Sequence, residues 1–264
     1  KMKVNPKKSL GQNFLLNKEI IKKIIEVGQI TNKSHIIEIG PGTGNLTEEI
    51  LKNSPESFIA IEKDKHLFNL LSKKYKSKIK LINQDVLTVN WENFTNQNLV
   101  VFGNLPYNIS AKLLINWILL NNLKNIFKRF ILMFQKEVAD RIVADVNSSK
   151  YGRLTILAEW KMNAKKIMDI DPSNFFPKPK VTSSLIYIEP KNNYFKFDSS
   201  KNLEKVTDVF FQNKRKMVKK PLNILFNDSN KVIKKLKIDD RSRPQNLDPA
   251  TYFKISKEYE DRNF

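Results

Sequence analysis

A short segment near the middle of the chain, FGNLPYNIS at residues 102–110, combines an amide, a proline and an aromatic ring directly after an apolar run. The side-chain oxygen of Asn104, with a backbone carbonyl fixed by Pro106, can accept both hydrogens of a planar exocyclic amine. Accepting both hydrogens makes the lone pair of the nitrogen more available. Tyr107 offers a ring face on which a flipped base can stack. The segment predicts chemistry at the amino group of a nucleobase, and the alternative is a loop whose tyrosine belongs to the core.

A second segment, EIGPGTG at residues 38–44, carries three of the chain's seven glycines, Gly40, Gly42 and Gly44. Between a predicted strand and a predicted helix, such a loop lets a ligand approach the backbone and offers amide donors. The spacing Gly-x-Gly-x-Gly differs from the Gly-x-Gly-x-x-Gly of dinucleotide sites. It therefore favours S-adenosylmethionine over NAD, and a tight structural turn is the alternative interpretation.

Two acidic residues end the next predicted strands. Glu62 lies 22 residues after Gly40, where an acid binds the paired hydroxyls of a ribose, and Asp85 is placed to accept from an adenine amino group. The carboxyl ends of parallel strands meet at one edge of a sheet, so these acids and Asn104 are predicted to line one adenosine site. The methyl group of a sulfonium donor is already electrophilic, so alignment of the amine, the methyl group and the sulfur supplies most of the rate. Neither a metal nor a protein nucleophile is therefore expected.

Composition limits the remaining classes of function. The chain has no cysteine and only two histidines, which excludes disulfides, thiolate metal sites and cysteine nucleophiles. Lys and Arg number 47 against 27 Asp and Glu, so a polyanionic partner is favoured, although an AT-rich genome also enriches lysine. Neither a secretory signal nor an apolar run near 20 residues is evident, and we expect a soluble, cytoplasmic protein of bacterial type with no membrane contact, an organellar origin being the alternative.

Strand and helix signals alternate along the first two thirds of the chain and predict βαβ units around a buried parallel sheet. The fold expected is α/β, a doubly wound, Rossmann-like methyltransferase domain over residues 1–194, with a basic arm at 1–10. Helical periodicity predicts a small all-helical RNA- or ribosome-binding domain over 195–264. The predicted strands are HIIEI (35–39), FIAIE (58–62), IKLINQD (79–85), LVVFGN (99–104), FKRFILMFQ (127–135) and VTSSLIYIEP (181–190), and LTILAEWKMNAKKIMDI (154–170) begins as a helix and ends as a strand.

Six ordered blocks carry a resemblance to a known family. They are GQNFL (11–15), EIGPGTG (38–44), GNLPYNIS (103–110), MFQKEVADRI (133–142), YGRLTILAEW (151–160) and FFPKPKVTSS (175–184). Together they resemble the KsgA-type adenine N6-dimethyltransferases of small-subunit ribosomal RNA, from about residue 8 to the end of the chain. Large-subunit enzymes that confer macrolide resistance and mitochondrial transcription factors are related, but QKEVADRI and YGRLTILA resemble the small-subunit branch.

The resemblance implies a function and a set of site residues. The family transfers four methyl groups to two adjacent adenosines in the 3′-terminal hairpin of small-subunit (16S) RNA during 30S biogenesis. Phe175 would pack on the face of the adenine opposite Tyr107, and Phe176 is the alternative ring. The residues implied to contact S-adenosylmethionine are Asn13, Leu15, Gly40, Glu62, Asp85 and Asn104, and those implied to hold the target adenine are Asn104, Leu105, Pro106 and Tyr107.

Basic residues in two further segments are candidates for contact with RNA phosphates. Lys178 and Lys180 adjoin Phe175, and a predicted basic helix, FFQNKRKMVKKPL, contains Lys214, Arg215 and Lys216. An ordinary solvated helix face is the alternative for the second group. The expected partner is the 30S particle, bound by a monomer. A non-catalytic ribosome-assembly or transcription factor is the alternative function, which the intact Asn104–Tyr107 motif disfavours.

Overall fold

The computed structural model of the protein describes residues 6–7 and 11–262, so most of the predicted basic arm lies outside the described residues. Contacts between Cα atoms divide the chain into two compact units. One holds the residues up to Ala139 together with Ala164–Pro190, and the other holds Asp140–Asn163 together with the residues from Lys191 onward. The boundary between Pro190 and Lys191 lies close to the predicted boundary after residue 194. Residues 140–163, however, group with the helical unit and not with the sheet.

Within the described residues, the first unit is built on a seven-stranded sheet and a separate two-stranded ribbon. The strands in chain order are β1 (Phe14–Leu15), β2 (His35–Ile39), β3 (Ser57–Glu62), β4 (Lys80–Asn83), β5 (Leu99–Asn104), β6 (Phe127–Gln135), β7 (Met162–Ile170), β8 (Phe175–Phe176) and β9 (Ser183–Pro190). The order in the sheet is β4-β3-β2-β5-β6-β9-β7. The pairings among β4, β3, β2, β5 and β6 are parallel, and β9 runs antiparallel to β6.

The helices follow the predicted alternation with the strands. They are α1 (Lys18–Gly28), α2 (Asn45–Leu51), α3 (Lys65–Tyr75), α4 (Ser110–Ile118), α5 (Leu123–Ile126), α6 (Lys136–Ile142), α7 (Arg153–Lys161), α8 (Ser200–Gln212), α9 (Lys219–Leu225), α10 (Ser229–Leu236) and α11 (Pro249–Arg262). No helix in the described part of the chain combines the length and hydrophobicity that crossing a bilayer requires.

The first helix shows how the sequence specifies these elements. The side chain of Asn17 caps α1 by accepting from the backbone N–H groups of Glu19 and Ile20, at 2.9 and 3.2 Å. Such a cap stabilises a helix by about 1 kcal/mol. At the other end, a Cβ on Gly28 would lie 2.2 Å from Cζ of Phe102 in β5. Glycine at this position therefore allows the helix to pack closely against the central strand.

The central strands are buried because helices cover both faces of a doubly wound sheet. Ile36 and Ile37 of β2 and Val101 and Phe102 of β5 have no exposed surface. The near-continuous apolar runs that predicted these strands reflect this two-sided burial. The sheet therefore holds the residues at its carboxyl edge on a rigid base.

The second unit is helical in its described part, except for the start of β7, as the periodicity predicts. Helix α7 packs against α8 and α11. The basic segment is not one helix, however. Helix α8 ends at Gln212, and residues 213–218 form a turn before α9. The run Asn-Lys-Arg-Lys-Met lacks an apolar stripe that could hold a helix against the unit, so the prediction of a basic helix is wrong.

Candidate active site

A cavity at the carboxyl edge of the parallel strands brings the predicted site residues together. The residues that line it include Asn13, Leu15, Gly40, Gly42, Glu62, Asp85, Asn104, Leu105, Pro106 and Tyr107. All ten were predicted from the sequence. Phe175, Lys178 and Lys180 belong to the same unit but do not line this cavity.

The glycine loop after β2 forms one wall. Gly40 and Gly42 have φ values of 65° and 59°, a left-handed conformation that favours glycine. A Cβ on Gly40 would meet no atom within 4 Å, whereas a Cβ on Gly42 would lie 2.8 Å from Cδ1 of Phe14. Gly40 therefore leaves open space beside the backbone, as a closely bound ligand requires.

Glu62 is positioned by backbone groups. Its Oε1 accepts from the N–H of Asp64 at 2.8 Å, and its Oε2 accepts from the N–H of Gly42 at 3.2 Å. Burial raises the pKa of the Glu62 carboxyl above its usual value. Because each oxygen keeps a second lone pair, the fixed carboxyl can also accept from ribose hydroxyls.

Asp85 supplies an ionised acceptor on the neighbouring wall. The Nζ of Lys63 donates to its Oδ2 at 2.8 Å, and the backbone N–H of Leu87 donates to its Oδ1 at 3.0 Å. The hydrogen bond from Lys63 lowers the pKa of this carboxyl. An ionised carboxylate suits the predicted contact with an adenine amino group.

Asn104 at the end of β5 is tied to the GQNFL segment. Its Nδ2 donates to the backbone carbonyl of Asn13 at 2.5 Å, and the Nδ2 of Asn45 donates to the carbonyl of Leu15 at 2.8 Å. With Nδ2 oriented by Asn13, the Oδ1 of Asn104 is the acceptor that this side chain presents for an amine.

The backbone hydrogen bonds after Asn104 indicate which carbonyl can be the second acceptor for the amine. The carbonyl of Pro106 accepts from the N–H groups of Ile109 and Ser110, both at 3.1 Å. The Pro106 carbonyl is therefore committed to the start of α4. Leu105 lines the cavity next to Asn104, and its carbonyl is therefore the candidate second acceptor for a bound base.

Tyr107 is held by a residue that the sequence reasoning did not single out. Its hydroxyl lies 2.7 Å from the Oγ of Ser183 in β9, and Ser183 is fully buried. Burial raises the pKa of Tyr107, so the phenol stays neutral at physiological pH. The hydrogen bond fixes the ring, and only the family motif FFPKPKVTSS could have drawn attention to Ser183.

Glu38 is a second residue whose role the sequence reasoning missed. It lines the cavity, is 2% exposed, and its Oε2 accepts from the Oγ1 of Thr47 at 2.6 Å. Burial raises the pKa of Glu38 to about 8. The carboxyl is therefore mostly protonated at neutral pH, which avoids a second buried negative charge beside Glu62.

The two phenylalanines of FFPKPKVTSS occupy different environments. Phe175 is 3% exposed and belongs to the hydrophobic core with Leu15, whereas Phe176 is 55% exposed. In this conformation Phe175 has no ring face open to a base, and its stacking role stays a prediction. Lys178 and Lys180 are exposed, as contact with phosphates requires.

The basic residues of the second unit lie on the turn between α8 and α9. Arg215 and Lys216 are exposed, while the Nζ of Lys214 donates to the carbonyls of Ser149 and Tyr151, at 2.9 and 3.3 Å. Lys214 thus also anchors the turn. Among the described residues, no group of three or more His, Asp or Glu side chains is arranged to hold a metal ion.

Comparison with known proteins identifies the family. A family model described as "Ribosomal RNA adenine dimethylase" matches residues 3–261. The chain belongs to the ribosomal RNA adenine dimethylase family. It is an S-adenosylmethionine-dependent rRNA adenine dimethyltransferase, as the resemblance of its motifs implied.

Individual relatives support this assignment across the whole chain. A protein named ribosomal RNA small subunit methyltransferase A from Pelagibacter ubique is 52% identical over 260 residues, covering 98% of this chain and 99% of the relative. A protein of the same name from a Wolbachia of Drosophila simulans is 41% identical over 94% of this chain and 91% of its own length.

Solved structures share the fold. A dimethyladenosine transferase from Plasmodium falciparum matches with a TM-score of 0.83 and 27% identity, over 95% of this chain and 98% of the other. The 23S rRNA methyltransferase ErmE matches with a TM-score of 0.71 and 19% identity, over 94% of this chain and 99% of the other. The predicted Rossmann-like methyltransferase fold with a helical C-terminal part is confirmed.

Proposed function

We propose that this chain transfers methyl groups from S-adenosylmethionine to N6 of two adjacent adenosines in the 3′-terminal hairpin of small-subunit (16S) RNA, giving N6,N6-dimethyladenosine during 30S biogenesis. The names of the relatives from Pelagibacter and Wolbachia support the small-subunit substrate. The observation that carries the proposal is that Asn104 lines the same cavity as the glycine loop, Glu62 and Asp85. A base amine and a methyl donor can therefore meet there.

The donor set fits S-adenosylmethionine. Glu62 would accept from the ribose hydroxyls, Asp85 from the adenine amino group, and the open space at Gly40 admits the ligand against the backbone. Asn13 and Leu15 would contact it from the other wall. The methyl donor supplies an electrophilic carbon on a positively charged sulfur.

The chain itself orients and activates the attacking amine. The Oδ1 of Asn104 and the carbonyl of Leu105 would accept the two N6 hydrogens, and Tyr107, held by Ser183, would stack on the base. Nitrogen would develop positive charge as its lone pair bonds to the methyl carbon and the carbon–sulfur bond breaks, leaving a neutral thioether, so acceptors aimed at its hydrogens stabilise the transition state. The proton lost from N6 then passes to solvent. One hydrogen and the lone pair remain after the first transfer, so one of the two acceptors can still accept a hydrogen and the same site can promote the second.

Several residues complete the proposed complex with RNA. Lys178, Lys180, Lys214, Arg215 and Lys216 would contact phosphates, and Phe175 would reach the adenine only if the ribbon of β1 and β8 rearranges on binding. The partner would be the 30S particle, bound by a monomer in the cytoplasm. The net charge of +20 supports a polyanionic partner.

The test incubates the full chain with radiolabelled methyl donor and unmodified 30S particles, followed by digestion of the RNA to nucleosides. We expect label in N6,N6-dimethyladenosine from two adjacent positions. Free 16S RNA and 50S particles, assayed in parallel, report the required substrate. Label in another nucleoside, or in large-subunit RNA alone, would contradict the proposal.

A further inference from the structure

Apolar side chains are exposed on the ribbon of β1 and β8 and on the segments that continue it. Phe176 is 55% exposed, Leu16 54% and Val181 43%. The backbone N–H of Leu16 donates to the carbonyl of Asn174 at 2.9 Å, so the pairing of the ribbon extends to Leu16. Exposed apolar side chains on paired strands, as at Phe176 and Leu16, indicate a surface that a partner covers.

This surface adjoins the cavity. Phe176 is paired with Phe14 across the ribbon, and the ring of Phe14 lies against Gly42 and lines the cavity. Paired strands are about 4.8 Å apart. Phe176 therefore lies one strand outside the cavity wall, beside the segment whose Asn13 carbonyl accepts from Asn104.

The charge beside Phe176 suits RNA. Lys178 and Lys180 are exposed, and the segment from Phe175 to Ser183 contains no acidic residue. Exposed rings interleaved with cations are the features that bind unpaired nucleotides, because bases stack on the rings while phosphates meet the cations. A membrane or an apolar protein partner would not need this combination beside a base-binding cavity.

We propose that Phe176, with Leu16 on the paired strand, binds the base next to the target adenosine by stacking. The proposal rests on the proposed function, because two adjacent adenosines place one base outside the cavity whenever the other is inside. A base that has lost its stacking neighbour gains by finding an aromatic partner. Phe176 would then fix the register of the RNA and favour a purine at the neighbouring position.

Steady-state kinetics with two RNA substrates test the proposed stacking on Phe176. Small-subunit particles are reconstituted with ligated RNA in which the neighbour of the target adenosine is adenine or an abasic site. We expect Phe176→Ala to lower kcat/KM about tenfold with adenine and to leave it unchanged with the abasic neighbour. Phe176→Trp should keep the wild-type value, and Ile224→Ala, an equally exposed apolar residue of the second unit, should not discriminate between the RNAs.

Equal losses on both RNAs, or no loss on either, would overturn the proposal. A binding measurement separates it from the proposed function, since 2-aminopurine at the neighbouring position loses fluorescence on stacking without any methyl transfer. Quenching by the wild type that Phe176→Ala removes supports the site, and absence of quenching overturns it. Failure to form methyladenosine on any RNA would contradict the proposed function, whatever the quenching shows.

Discussion

We name the two sides of the cavity after the contacts proposed for them, the cofactor side and the substrate side, and they are held in different ways. On the cofactor side, Glu62 and Asp85 are fixed mainly by backbone N–H groups close to strand ends, those of Gly42, Asp64 and Leu87. On the substrate side, Asn104 is held by the carbonyl of Asn13, 91 positions away, and Tyr107 by Ser183, 76 positions away. The cofactor side thus follows from the sheet itself, whereas the substrate side depends on long-range contacts that a single substitution can remove.

The largest expected effect comes from a substitution on the substrate side. Asn104→Ala removes the acceptor for the amine, and we expect kcat to fall about 10³-fold, the range for a preorganised polar group acting on the transition state. Calorimetric titration should show a much smaller loss of affinity for S-adenosylmethionine, from the missing hydrogen bond to the carbonyl of Asn13. Asn53→Ala, at an exposed asparagine after α2, is the matched control. Retained turnover in Asn104→Ala would contradict the proposed activation of the amine.

The next prediction concerns a substitution that weakens binding on the cofactor side. Gly40→Val places a β-branched residue at a φ of 65° and projects it into the open space beside the loop. We expect affinity for S-adenosylmethionine to fall about 100-fold from strain and blocked space, and RNA binding without cofactor to persist. Gly152→Ala, at an extended glycine with its nearest neighbours at 3.8 Å or more, should bind the cofactor normally. Wild-type affinity in Gly40→Val would place the cofactor elsewhere.

A third prediction concerns the protonated carboxyl of Glu38. Its pKa is raised to about 8, so between pH 4.5 and that value the native state keeps a proton that the unfolded chain releases. The free energy of unfolding should therefore fall with rising pH, by up to about 1.4 kcal/mol per pH unit. Glu38→Gln should remove this contribution, as measured by urea unfolding at several pH values across the window. Parallel pH dependences in variant and wild type would show that Glu38 titrates normally.

The smallest expected effect concerns the hydrogen bond that holds Tyr107 on the substrate side. Ser183→Ala removes the hydrogen bond to Tyr107, and we expect kcat/KM for RNA to fall about fivefold with unchanged affinity for the cofactor. Adding Tyr107→Phe should cause little further loss, because both changes remove the same bond. Ser184→Ala is the control, since the equally buried Ser184 donates to Asp169 instead. Additive losses in the double variant would mean that Ser183 acts independently of Tyr107.

The same contrast explains what could be predicted from the sequence. Apolar runs, glycine spacing and acids at strand ends indicated the parallel sheet and the residues that line the cavity beside the glycine loop, because these follow from periodicity and topology. The contact of Tyr107 with Ser183 joins residues 76 positions apart in the chain, and no local pattern signals it. The pKa of Glu38 depends on burial, which the sequence does not give. Lys214–Lys216 were predicted to be helical from local composition, but the segment has no apolar stripe to hold a helix.

The central claim is that Asn104 and Leu105 accept the hydrogens of the target amine beside the methyl donor. A crystal structure of the chain with a non-reactive analogue of the donor and the substrate hairpin tests it most directly. We expect N6 of the target adenine within about 3 Å of both Oδ1 of Asn104 and the carbonyl oxygen of Leu105. An ordered adenine whose N6 contacts neither oxygen would contradict the account.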